Sequence, residues 1–203
     1  MIPVRPAEEP PTFDTAVRQP GRRAVAELAE RFEDEIPASE FPPYWRRILP
    51  ELLDSYNRIC SYLCLRISGG TGAASVDHMV AKSASRDLVY EWHNYRLACS
   101  LMNARKGTAP DVLDPFDVED GWFALELVGF QVLPGDGLDA DTKGAVEGTI
   151  ERLRLNDVIC CDVRAEYADY YWDRQIRFDH LTRHSPFVAS ELRRQGRLRE
   201  EDR

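Results

Sequence analysis

Apolar positions along the chain recur with two different periods, and the places where the period changes outline its elements. Val25, Leu28, Ala29, Phe32 and Ile36 follow helical spacing and predict a helix near 22–36. Pro42-Pro43 interrupts the chain. Pro50 suits the first turn of a second helix carrying Leu52, Leu53, Tyr56 and Ile59. Between Tyr62 and Val80, short β-type pieces surround Ser68-Gly69-Gly70-Thr71-Gly72, which reads as a hairpin turn because it lacks the Gly-Lys-Ser/Thr ending of a phosphate loop. Alternating segments around Trp122–Val132, closed by Pro134-Gly135-Asp136-Gly137, predict strands and a turn. Val146, Ile150 and Leu153 mark a helix, and a longer one is expected from about 157 to 179. Ser185-Pro186 is placed to cap and start a last helix that Gly196 ends. The layout is α+β, with helices on both sides of a short β-containing centre.

The chain has 203 residues and a formal charge of −9. All of that excess lies in one stretch: Asp111 to Thr142 holds nine acids and no Lys or Arg, leaving 26 bases against 26 acids elsewhere. Solvated strands and turns account for such a stretch, with a docking face for a basic partner as the sharper alternative. The net charge argues against broad nonspecific coating of nucleic acid but leaves room for a small basic cleft. Ser75 to Gly107 is such a region, with five bases against three acids. No apolar run approaches the roughly 20 residues of a membrane span. An N-terminal stretch with Pro3, Pro6, Pro10, Pro11 and Pro20 predicts an extended, partly disordered arm rather than a signal peptide. Five cysteines, an odd number, suggest reduced thiols and a cytoplasmic protein.

The chemistry concentrates in Val76-Asp77-His78-Met79-Val80-Ala81-Lys82-Ser83, Trp92-His93-Asn94-Tyr95-Arg96-Leu97-Ala98-Cys99 and Asn103-Ala104-Arg105-Lys106-Gly107. Read physically, this is strand, loop, strand, helix. If the helix packs across the hairpin, it gathers Asp77, His78, Asn94 and Asn103. An Asp carboxylate and an Asn carbonyl oxygen are hard ligands suited to Mg²⁺. A neutral His beside the ion can take a proton from water attacking phosphorus. Arg105 and Lys106 would bring positive charge to the scissile phosphate.

In these residues the chain resembles the HNH endonucleases, the ββα-metal fold. The named positions are His78, Asn94 and Asn103, the Asn-ending variant of the pattern. Lys82-Ser83, Trp92, Leu97-Ala98-Cys99 and Asn103-x-x-Lys106-Gly107 match as flanks. The resemblance implies His78 as general base, Asp77 and Asn103 as ligands of one Mg²⁺ or Mn²⁺, and Asn94 as the residue holding the loop and the His78 ring. Lys82, Arg105 and Lys106 would bind substrate. It covers Cys60 to Gly107 well and implies hydrolysis of DNA to 5′-phosphate and 3′-hydroxyl ends. RNA remains an alternative substrate, since such a site recognises phosphodiesters rather than sugars.

A looser likeness, in the lead-in, Asp114-Pro115-Phe116 and 149–156, points to the small HNH proteins of bacterial anti-phage systems. Septu and retron-associated nucleases, which work beside an ATPase, are similar. The expected organisation is an arm over 1–21, a helical lead-in over 22–60, an HNH core over 61–107, and an acidic strand segment with C-terminal helices over 108–203 that pack on the core. An alternative reading is an interaction subunit of an ATPase-containing defence complex with little activity alone. A homo-oligomer is possible through the helix carrying Tyr167, Tyr170, Tyr171 and Trp172. Many relatives carry two Cys-x-x-Cys pairs for zinc. Here Cys60-x-x-x-Cys64 and Cys99 with Met102 break the pattern, so no structural zinc is expected. His93 should face away from Asn94, and His180 with His184 lacks the zincin glutamate.

Overall fold

The computed structural model describes residues 1–68 and 72–202. Among them it is α+β, with seven α-helices and two small antiparallel sheets. One apolar cluster runs from Met1 to Leu198, so the four expected segments share a core. The hairpin turn read at Ser68–Gly72 lies largely outside the described residues. None of the described helices is long and apolar enough to cross a membrane.

The N-terminal arm is a correction. It lies along the body, with the Val4 N–H donating to Pro115 O (3.1 Å), the Ala7 N–H to Tyr56 Oη (3.0 Å) and Trp92 Nε1 to Ala7 O (2.9 Å). Helical structure begins with a π turn at Asp14–Arg18 and continues as α1 (Gln19–Arg31), ending before the expected 36. Phe13, Val17, Gly21, Ala24 and Leu28, spaced by three or four, are all buried and form the stripe that α1 packs inward. Gly21 has no substitute there, because a Cβ would sit 2.2 Å from the Tyr90 ring. Phe32, directly after α1, is already extended (φ −123°, ψ 111°), and this closes the other end.

After α2 (Leu49–Ser55), strands β1 (Ala74–His78) and β2 (Tyr95–Cys99) pair antiparallel. Their register sets Asp77 opposite Arg96 and His78 opposite Tyr95. α3 (Ser100–Lys106) follows β2 directly and packs on both strands. It stops at Gly107, whose φ of +54° suits a residue without a Cβ.

The C-terminal half adds β3 (Phe123–Leu125), β4 (Val132–Pro134), α4 (Ala140–Arg152), α5 (Val158–Trp172), α6 (Phe178–His184) and α7 (Pro186–Arg194). The single helix expected over 157–179 is two, broken at a turn where Arg174 takes φ +61°. Tyr171 is fully buried, with Oη between the Arg199 N–H and Asp202, so this aromatic run is core at that position. Ser185 precedes α7 without capping it through its side chain. Several acids of the 111–142 stretch have local work: Asp139 caps α4, Glu126 accepts three loop N–H bonds, and Asp114 takes Arg96.

Candidate active site

Side chains alternate along β1, so Asp77 and His78 leave it on opposite faces. Asp77 turns toward α3. It is 2% exposed and accepts hydrogen bonds from Tyr62 Oη and from Lys106 Nζ, which lies 3.3 Å away. Lys106 is equally enclosed, and its ammonium also donates to His78 O (2.9 Å) and Met79 O (3.2 Å). Burial pushes the Asp77 pKa up, against the opposing pull of Lys106, Tyr62 and Arg96. Three residues back on the same helix face, Asn103 Nδ2 donates to Ser75 Oγ (3.2 Å) and weakly to Val76 O (3.5 Å). Its Oδ1 accepts no bond from the described residues.

His78 turns the other way. Its ring stands edge-on to Trp45 (4.8 Å between centroids) and to Tyr95 (5.1 Å). Nε2 lies 3.0 Å from Val89 O. A carbonyl can only accept, so Nε2 carries a proton. Burial, reinforced by Lys82 and Lys106, lowers the His78 pKa to about 4. The ring is therefore neutral at pH 7 and its Nδ1 keeps a lone pair. The Tyr95 hydroxyl also donates to Val89 O (2.9 Å), fixing that carbonyl from a second side.

Asn94 holds the loop that supplies Val89. Its Oδ1 accepts the Val80 N–H (2.7 Å), and its Nδ2 donates to Val80 O (3.1 Å) and Leu88 O (3.0 Å). Both ends of the 79–94 excursion are thus pinned by one buried side chain. Lys82 is half-buried, donates to Ala38 O (3.1 Å) and stands 4.5 Å over the Trp45 ring. Burial lowers its pKa.

Two of the three expected substrate cations are engaged with groups of the protein. The Lys106 ammonium is consumed by Asp77 and two carbonyls. Arg105, one residue earlier and turned about 100° away on the helix, clamps the C-terminal half. Its Nη1 donates to Leu153 O and Arg154 O (3.0 Å each) and its Nη2 to Asp157 (2.7 Å). Of the three, Lys82 alone stays partly open beside His78. The site depends on Tyr62, Trp45, Tyr95 and Val89 O as well, none of which the sequence marked, because their pairing with Asp77 and His78 arises only on folding.

The donor set suits a hard divalent ion held loosely. Asn103 Oδ1 is free, and each Asp77 oxygen retains a lone pair beyond the one it has used. Lys106 already cancels the Asp77 charge, so an ion here needs added negative charge, as Mg²⁺ commonly finds in substrate phosphate. Among the described residues no group of three or more His, Cys, Asp or Glu is arranged to hold a metal. Cys60, Cys64 and Cys99 are buried free thiols, and Cys60 Sγ accepts the Leu63 and Cys99 N–H groups. His93 is exposed, and the stacked rings of His180 and His184 (3.9 Å) lie on α6 outside this site.

No model of a known protein family matches this chain, and no curated protein matches it.

Proposed function

We propose that the chain is an HNH-type endonuclease that hydrolyses phosphodiester bonds of DNA with the help of Mg²⁺ or Mn²⁺. The observation that carries this reading is the neutral imidazole of His78, tied through Nε2–H to Val89 O and left with Nδ1 as an acceptor on a strand–loop–strand–helix unit. That is the state a general base needs before it takes a proton from water.

Each residue then has one task. His78 Nδ1 accepts the proton of the attacking water while Nε2–H stays on Val89 O. Asn94 and Tyr95 keep that carbonyl in place. Tyr62 and Lys106 hold Asp77, and Asn103 offers its Oδ1, so Asp77 and Asn103, across β1 from the His78 ring, are the pair that would bind the ion, and the substrate must engage both faces at the end of the strand. When bound, Mg²⁺ or Mn²⁺ stabilises negative charge on the phosphate and the leaving oxygen. Lys82, over the Trp45 ring, is the cation left for the incoming phosphate. A pKa near 4 makes free His78 a weak base, and an anionic substrate raises it toward the working range by favouring the imidazolium.

The exposed Val128 (95%), Val158 (75%) and Ile159 (52%) favour a second, compatible reading. In it the chain is also a subunit of a larger assembly, an ATPase-containing one if the family resemblance extends that far, and co-purification with a genomic neighbour tests it. The nuclease reading is tested with supercoiled plasmid and single-stranded RNA in Mg²⁺, Mn²⁺ and EDTA. Metal-dependent nicking of DNA, lost in His78→Ala and Asn103→Ala proteins that remain folded, is expected. Cleavage confined to RNA changes the substrate, and a His78→Ala protein that nicks at the wild-type rate removes the mechanism.

A further inference from the structure

A cavity of about 700 Å³ opens between residues 2–5 of the arm, the end of α2 with the turn after it, and the α6–α7 junction. Asp77, His78 and Asn103 take no part in its lining. Its size falls in the range that accepts small organic ligands. Four arginines line it, Arg5, Arg58, Arg66 and Arg183, against one carboxylate, Asp54. That is a local excess of positive charge in a chain whose total is −9. Among the described residues only Arg183 of the four has an ion-pair partner, Asp179 at 3.1 Å.

A further observation points to a ligand. Arg58 has φ +60°, directly after Asn57 at +51°. Its backbone is well used, the N–H donating to Leu53 O (2.8 Å) and the carbonyl accepting from Ile67 N–H (2.8 Å), but its guanidinium pairs with no carboxylate. Glycine would suit that backbone better, so an arginine there points to a use for the side chain.

We propose that this cavity binds a small organic phosphate, with the phosphoryl group on the arginines and the organic body against apolar lining such as Val4 and Ile59. Several guanidinium forks suit the three oxygens of a phosphate better than the two of a carboxylate. Three chain segments bound the space, which favours a molecule with ends over a continuous nucleic-acid strand. The proposal stands independently of the nuclease reading.

The test is isothermal titration calorimetry of the full chain with adenosine 5′-monophosphate, ribose 5-phosphate, inorganic phosphate, adenosine and a short DNA duplex. Two variants are chosen to fold. Arg58→Gly fits the left-handed backbone, and Arg5→Gln alters an exposed side chain that has no ion-pair partner among the described residues, so neither should lower the melting temperature. An organic phosphate should bind saturably, about tenfold tighter than inorganic phosphate or adenosine. Arg58→Gly should weaken it about tenfold and Arg5→Gln about fivefold. Four results overturn the proposal: no saturable binding of any phosphate at millimolar concentration, equal affinity for inorganic and organic phosphate, binding that both variants leave unchanged, or binding of the duplex alone.

Discussion

The two faces of β1 solve opposite problems with adjacent residues. On the α3 face, Asp77 is a buried carboxylate whose partners, Tyr62 and Lys106, are all donors, so charge is met with charge and little is left free. On the loop face, His78 is a buried base kept uncharged, one nitrogen satisfied and the other open. The first arrangement is structural before it is chemical: removing Lys106 leaves the buried carboxylate without its compensating charge. The second stores reactivity, because desolvation that lowers the pKa also preserves the lone pair at neutral pH. The two faces meet in the backbone of residue 78, whose carbonyl accepts Lys106 while its ring is oriented by Val89.

The sharpest way to break the α3 face is Lys106→Met. It leaves Asp77 buried and unpaired and should cost about 3–5 kcal/mol in urea unfolding, a loss that a second change, Asp77→Asn, partly restores. A loss under about 1 kcal/mol would mean that Lys106 does not hold the carboxylate.

On the loop face, the largest expected effect is in the pH dependence of stability. The His78 pKa falls from 6.5 unfolded to about 4 folded. The unfolded chain therefore binds the proton first, and the His78 contribution is complete above pH 6.5 and lost as pH falls toward 4. The integrated loss is about 3 kcal/mol. Asp77, raised by burial, works in the opposite sense, since its neutral form is favoured in the fold as pH falls. The difference between wild type and His78→Gln across this window isolates the histidine. A flat difference would show that the ring is solvated.

Asn94→Ala comes next. It deletes three hydrogen bonds from a buried side chain and should cost about 2–3 kcal/mol, with faster hydrogen exchange at Val80. Wild-type exchange there would mean that other contacts hold the loop. The smallest effect is expected from Trp45→Ala, which opens the His78 ring to water. The His78 pKa should rise from about 4 by about 1–2 units in an NMR titration. An unmoved pKa would assign the desolvation to Tyr95 and the loop instead.

Local signals made the strand–loop–strand–helix order legible: period-two apolar residues around Asp77 and Leu97, then a short run of helix formers ended by Gly107. The same signals were silent about direction. Arg105 and Lys106 are neighbours of equal charge, and sequence alone made them a pair, yet one helical step sends Lys106 into the core and Arg105 to Asp157. Helix faces decide this, and Asn103 with Lys106, three apart, share the face that meets β1. The arm was misjudged for a similar reason. Its prolines described a chain without regular hydrogen bonds, while the contacts that order it, to Tyr56, Trp92 and Pro115, come from residues about fifty to over a hundred positions away. The expected metal pair was legible as chemistry, but the Lys106 charge that already neutralises Asp77 was not.

The proposed chemistry turns on the imidazole of His78 carrying its proton on Nε2 and keeping Nδ1 for a substrate. Long-range ¹H–¹⁵N NMR of the imidazole nitrogens, assigned by loss of the signal in His78→Gln and followed with pH, tests this most directly. The predicted result is a neutral Nε2–H tautomer at pH 7 with an ionisation near pH 4. A proton on Nδ1, or an ionisation at the ordinary 6.5, would contradict it.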